Sequence, residues 1–181
     1  MKLIRFGKQG EEKPGILLSN DEKIDVSSFV SDYDEEFFES GGLVNLKNWL
    51  NENESSAPRL DDSIRLGSPI ARPSKIICIG LNFKDHAAES GFDAPEEPLI
   101  FGKATSAICG PYDNIIIPRG SEQTDWEVEL GVVIGKKTSY VDQDQALDHV
   151  GGYVLHNDVS ERAFQKDRGG QWIKGKSADT F

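Results

Sequence analysis

The chain has 181 residues, with 20 Lys and Arg against 31 Asp and Glu, and a formal net charge of −11 at pH 7. That length suits one or two domains, with a core that removes roughly 70% of the surface an unfolded chain of this size exposes. The acidic balance provides no field to steer DNA or RNA toward the chain, no apolar run approaches the ~18 residues of a membrane helix, and the start Met1-Lys2-Leu3-Ile4-Arg5-Phe6 lacks the apolar segment of a secretory signal.

In chain order, Lys2–Phe6, 15–19 and 23–26 read as short strands separated by Gly-Lys-Gln-Gly and Asn-Asp-Glu turns. Residues 31–56 read as two short helices around Gly41-Gly42, with Leu43, Leu46, Trp49 and Leu50 on one face of the second. Residues 51–62 are polar, contain Pro58 and read as a linker. Apolar runs become denser from Pro73. Residues 75–80 suit a strand buried on both faces, and 82–90 a helix of a turn or two stopped by Gly91. Leu99–Lys103 is a short strand, and the β-branched run 114–118 ends at Pro118. The clearest alternation spans 126–134. A short helix follows over 142–150, with Ala146, Leu147 and Val150 on one side, then a strand over 152–157 and a glycine-rich polar tail over 171–181. Cys78 and Cys109 lie in apolar surroundings and read as reduced structural thiols. Many strands with few short helices make the fold class α+β. The change in texture marks a small N-terminal β-rich domain over 1–70 and a second domain over 71–181.

Chemistry concentrates in the second part. In a strand, alternate side chains share a face, so Trp126, Val128, Leu130 and Val132 point one way and Glu127 and Glu129 the other. Two carboxylates this close repel unless a positive charge sits between them, and a hard divalent cation bound by oxygen supplies it. A solvated strand face is the plainer alternative. Asp158, ending the apolar strand after His156 and Asn157, is either a third ligand or, with Glu161, a capping box for the helix that follows. His86 and Glu89, three residues apart, fit either a general base oriented by a carboxylate or a surface ion pair. His149 reads as exposed, and His156 as a neighbour of Asp158. Lys174-Gly175-Lys176-Ser177 can hold an anionic oxygen or be a solvated loop, without the spacing of a phosphate-binding loop. Arg162 and Gln165 fall on one helical face below Asp158.

Five ordered segments carry a resemblance. They are Lys-Ile-Ile-Cys-Ile-Gly-Leu-Asn-Phe from Lys75 with His86 and Glu89, Phe-Gly-Lys-Ala-Thr-Ser-Ala-Ile-Cys-Gly-Pro from Phe101, Asp-Trp-Glu-Val-Glu-Leu-Gly from Asp125, Asn-Asp-Val-Ser-Glu-Arg-Ala-Phe-Gln from Asn157, and Gly-Gln-Trp-Ile-Lys-Gly-Lys-Ser-Ala-Asp-Thr-Phe from Gly170. Together they resemble the fumarylacetoacetate hydrolase family, over about residues 73–181. The resemblance implies a mixed β-sheet roll. It places metal ligands on Glu127, Glu129 and Asp158, a catalytic dyad on His86 and Glu89, a catalytic lysine on Lys176, and substrate-lining residues on Arg162 and Gln165. It further implies Mg²⁺ or Mn²⁺ as cofactor, a small anionic keto acid as substrate and a homodimer, while the reduced cysteines suit a cytoplasmic protein and the charge and hydropathy above suit no nucleic-acid or membrane partner. The activity implied is hydrolysis of a carbon–carbon bond in a β-diketo acid, such as an acylpyruvate or diketo-deoxy sugar acid, through a metal-bound enolate. A lyase or decarboxylase acting on ureidoglycolate or oxaloacetate uses the same scaffold. The family's catalytic domain continues about a hundred residues further, through a Gly-Thr-Pro-x-Gly-Val-Gly stretch absent here. The matching expectation is a partial catalytic domain whose missing part lies further along the chain or is supplied elsewhere; ending at Phe181 it would be poorly soluble alone and without measurable turnover, and an inert fragment that binds a divalent ion is the alternative reading.

Overall fold

The computed structural model describes residues 1–83 and 95–181. They form two compact units. One is Met1–Pro73 with Cys109–Asn114 and Val128–His156; the other is Ser74–Ile108 with Ile115–Glu127 and Asn157–Phe181.

The first unit opens with β1 (Lys2–Phe6), β2 (Lys13–Leu17) and β3 (Lys23–Asp25). With β4 (Leu66–Gly67) they make an antiparallel sheet in the order β3-β2-β1-β4. Ile16 lies opposite Ile24, and both are buried. Helix α1 (Glu35–Glu39) starts at Asp34, whose side chain accepts from the Phe37 amide at 3.0 Å and so satisfies one of the donors a helix start leaves open. Helix α2 (Gly42–Asn53) lays Leu46 into the core, with Leu43, Trp49 and Leu50 packed around it, which is the face its sequence spacing predicts. The Tyr33 hydroxyl, fully buried, donates to the Gly15 carbonyl at 2.8 Å.

Residues 51–62 differ from the expected linker. Helix α2 occupies their beginning, Ala57 is a core residue, and Arg59 bridges to Ile24 while its guanidinium donates to the carbonyls of Glu54 and Ala57. The polar side chains that suggested a linker face outward, while the backbone pairs with the sheet.

In the second unit, β5 (Ile76–Gly80) pairs antiparallel with β6 (Leu99–Lys103), from Ile76 opposite Lys103 to Gly80 opposite Leu99. The expectation of burial on both faces fails: Cys78 is buried, but Ile77 is 59% exposed. A continuous apolar run does not specify how many faces of a strand are covered, and this strand forms a two-stranded sheet with β6. The run 114–118 is irregular, with Ile115, Ile116 and Ile117 exposed, and the Ile116 amide donates to Thr180 Oγ1 at 2.8 Å.

Strand β7 (Thr124–Asp125) precedes β8 (Val128–Ile134), so Trp126 and Glu127 lie just outside the alternating strand. Strand β8 pairs with β9 (Val150–Asn157). On this ribbon Val128, Leu130, Val132, Ile134, Tyr153 and Leu155 are exposed, while Glu129, Gly131 and Val133 on the other face are half-buried. Residues 142–150 hold one 3-10 turn, Ala146–His149, instead of the expected helix: Leu147 is exposed and Val150 already belongs to β9. His149 is half-buried, with Nδ1 3.0 Å from Thr138 Oγ1.

Strand β10 (Ser160–Glu161) pairs with β7 and leads into α3 (Arg162–Lys166). Glu161 caps α3 by accepting from the Ala163 amide, so the capping alternative for Asp158 is removed. The glycine-rich polar tail contains α4 (Ile173–Lys176) and ends on a buried Phe181.

Candidate metal and substrate site

The site begins where β7 ends and where β9 ends. The Asp158 amide donates to the Glu127 carbonyl at 2.9 Å, and the Glu127 amide donates to Asn157 Oδ1 at 3.1 Å. These two bonds fix the two carboxylates beside one another. The side chains of Glu127, Glu129 and Asp158 each offer an oxygen, and the three oxygens lie within 4.8 Å of one another. Asp158 is fully buried; the two glutamates are half-buried.

Such crowding of negative charge requires positive charge in contact. Lys176 Nζ donates to Asp158 Oδ2 at 2.7 Å and to Glu127 Oε2 at 2.8 Å. Lys103 Nζ donates to Asp158 Oδ1 at 2.5 Å and to the Val159 carbonyl at 3.1 Å. Arg162 pairs with Glu127 Oε1 and holds Asp125 Oδ2 through Nε at 3.0 Å and Nη2 at 2.7 Å. Burial alone pushes the Asp158 pKa up; the ammonium groups of Lys103 and Lys176 outweigh it and hold the carboxyl below its ordinary range. The Arg162 guanidinium likewise holds Asp125 below the ordinary carboxylate value.

The burial of Lys176 has a local cause. Helix α4 lies so close to α3 that a Cβ on Gly175 would stand 2.4 Å from the Glu161 carbonyl oxygen and 2.7 Å from the Gln165 amide nitrogen. Only glycine permits that approach, and it carries Lys176 into contact with Glu127 and Asp158. Lys176 is therefore no solvated-loop residue, being 2% exposed. Lys174 is exposed, and its ammonium donates to the Arg168 carbonyl at 2.7 Å. Phe101 lies beneath Lys176, 5.2 Å from ring centroid to Nζ, and Trp172 meets Phe101 edge-on at 5.2 Å.

The sequence-predicted residues thus fall into three groups. Glu127, Glu129, Asp158 and Lys176 come together. Arg162 and Gln165 are near, joined to each other by a 3.0 Å hydrogen bond from Nη1 to Oε1; Asp158 precedes α3, so they do not descend from it along one helix face. His86 and Glu89 lie outside the described residues. His156 stands beside Glu129, Nδ1 to Oε2 3.6 Å. Sequence inspection overlooked Lys103 and Asp125 as partners of the site. Lys103 carried a signal: it is the single charged residue in the strand Leu99–Lys103.

The donor set fits a hard divalent cation such as Mg²⁺ or Mn²⁺, since every candidate ligand atom is a carboxylate oxygen. Three protein ligands leave the remaining positions of an octahedral ion for water or substrate oxygens.

The sequence profile of the fumarylacetoacetate (FAA) hydrolase C-terminal family matches residues 75–181. The chain belongs to the fumarylacetoacetate hydrolase family. A relative from Burkholderia ambifaria is 51% identical over all 181 residues, which cover 63% of that protein. A fumarylacetoacetate hydrolase from psychrophilic Exiguobacterium antarcticum is 31% identical with a TM-score of 0.77, over 100% of this chain and 63% of that one. A maleylpyruvate hydrolase from Sphingobium sp. SYK-6, solved in complex with manganese(II) ion and pyruvate, shares the fold at a TM-score of 0.78 and 23% identity, over 100% of this chain and 64% of that one. The chain therefore spans a little under two thirds of the length of these relatives, and the mixed helix-and-strand architecture is the family's. Among the described residues no helix is long and apolar enough to cross a membrane.

Proposed function

We propose that the protein hydrolyses a carbon–carbon bond in a β-diketo acid of the acylpyruvate type, with Mg²⁺ or Mn²⁺ as cofactor. The observation that carries this is the convergence of Glu127, Glu129 and Asp158 within 4.8 Å, next to the buried ammonium of Lys176. The manganese and pyruvate held by the Sphingobium hydrolase support the same choice of ion and substrate half. Glu127, Glu129 and Asp158 would hold the ion, which when bound supplies Lewis acidity toward the carbonyl and carboxylate oxygens of a keto acid.

The chain's own groups do the rest. Lys176 donates to an anionic oxygen of the substrate, stabilising the charge that develops as the bond breaks. Arg162 and Gln165, tied by their mutual hydrogen bond, would line the substrate beside the metal ligands. His86, the general base that the family resemblance implies together with Glu89, would take a proton from water. The hydroxyl adds to the carbonyl carbon distal to the pyruvate half, the carbon–carbon bond breaks, and the released carbon takes up a proton. One water is consumed, and the products are a carboxylic acid and pyruvate or a related 2-oxo acid.

The test is product identity. With Mg²⁺ or Mn²⁺ and an acylpyruvate, the protein yields equal amounts of pyruvate and carboxylic acid, and chelation of the ion abolishes the yield. An intact substrate, a product of unchanged mass, or turnover confined to oxaloacetate or ureidoglycolate overturns the assignment.

A further inference from the structure

Lys176 touches two carboxylates, and each of them already has another cation. Asp158 has Lys103 on its other oxygen, and Glu127 has Arg162 on its other oxygen. Lys176 can therefore leave both without leaving either as an uncompensated charge, the costliest state for a buried ionised group. Lys103 cannot move in the same way. Its side chain is 1% exposed, it sits at the end of β6, and its ammonium is also committed to the Val159 carbonyl.

We propose that Lys103 is a positioning residue: it serves as the fixed counter-charge of Asp158 and thereby frees Lys176 to engage an anionic substrate. The inference rests on the metal-dependent keto-acid reading above and deepens it. The two lysines divide one task. Lys103 stays on Asp158 throughout, while Lys176, seated over Phe101, exchanges its carboxylate partners for the substrate's oxygen. Without Lys103, the fully buried Asp158 has Lys176 as its remaining ammonium partner among the described residues, and an ion shared with Glu127 and Glu129 would leave its second oxygen to that ammonium. Lys176 is then held captive, and the anion site loses its donor. The affinity for a divalent ion is not weakened by the change, because removing a neighbouring positive charge favours a second one.

The test uses Lys103→Met in calorimetric titrations, first with Mn²⁺ alone and then with oxalate as an anionic probe on the Mn²⁺-saturated protein. The expected result is an oxalate Kd raised on the order of tenfold, a difference of about 1.4 kcal/mol, with Mn²⁺ bound at least as tightly as by the wild type. A purely structural lysine would lower the unfolding midpoint and leave the oxalate Kd of the folded protein unchanged. An oxalate Kd within twofold of wild type overturns the proposal, as does a loss of Mn²⁺ binding in the variant. Should Lys103→Met fail to fold, Lys103→Gln takes its place under the same criteria. Failure of the wild type to bind Mn²⁺ is the separate outcome that removes the metal reading and this inference with it.

Discussion

In the first unit, Asp32 receives two hydrogen bonds from Arg5, and Asp113 receives two from Arg65, each with one arginine nitrogen per carboxylate oxygen. Glu12 joins the pair, accepting from Arg65 at 2.9 Å with Arg5 3.9 Å away. In the second unit, Asp158 divides its oxygens between two lysines, and Glu127 divides its own between a lysine and an arginine. The forks of the first unit match donor to acceptor in a planar geometry that leaves little to exchange. A lysine ammonium is a point charge on a flexible stem, and it surrenders one oxygen for another more readily. Two knots of partly buried charge in one chain thus have opposite characters, one fixed as scaffold and one open to re-partnering.

Removing a partner from the fixed network should have the largest effect. Arg5→Met removes the buried guanidinium from Asp32, which keeps the largely exposed Arg72 at 3.1 Å, and a nearby charge from Glu12, and should cost about 3 kcal/mol in urea unfolding. A loss below about 1 kcal/mol would place this network among surface pairs and erase the contrast. Next in size is Glu129→Gln, expected to weaken Mg²⁺ or Mn²⁺ binding by on the order of 100-fold in calorimetry, with little change in the unfolding midpoint. An affinity within twofold of wild type would remove Glu129 from the ion site. The smallest effect is at Lys174, the control within the lysine pair of α4. Lys176→Met should abolish most turnover, whereas Lys174→Met, exposed and bound to a backbone carbonyl, should stay within about twofold of wild type. Equal losses at the two positions would show that helix α4, not its buried ammonium, is what matters.

Local sequence patterns revealed elements better than environments. The helices around Gly41-Gly42, the strand Leu99–Lys103 and the alternation from Val128 were readable because each follows the period of its backbone. Burial was not readable. The apolar residues Ile77, Leu130 and Leu155 point outward, and the charged Lys103, Asp158 and Lys176 point inward, against the usual correlation. Periodicity says which residues share a face but not which face is covered. Local sequence leaves Asp158 between a cap and a ligand and Lys176 between a loop and an anion site, because each contact that decides their roles reaches across the chain: Lys103 to Asp158, Lys176 to Glu127. The family resemblance could place those residues together, since it draws on the order of five segments instead of the spacing within one. It did not single out Lys103, whose partner lies 55 residues away.

Gly175 sets how far Lys176 reaches. The ammonium arrives at Glu127 and Asp158 because two backbone segments, at Glu161 and at the turn of α4, touch with nothing between them. The tolerance of the whole charge cluster is therefore decided by a residue with no charge and no side chain. Even the single methyl of an alanine would act as a shim there, lifting the helix and drawing the cation out of register with its two partners.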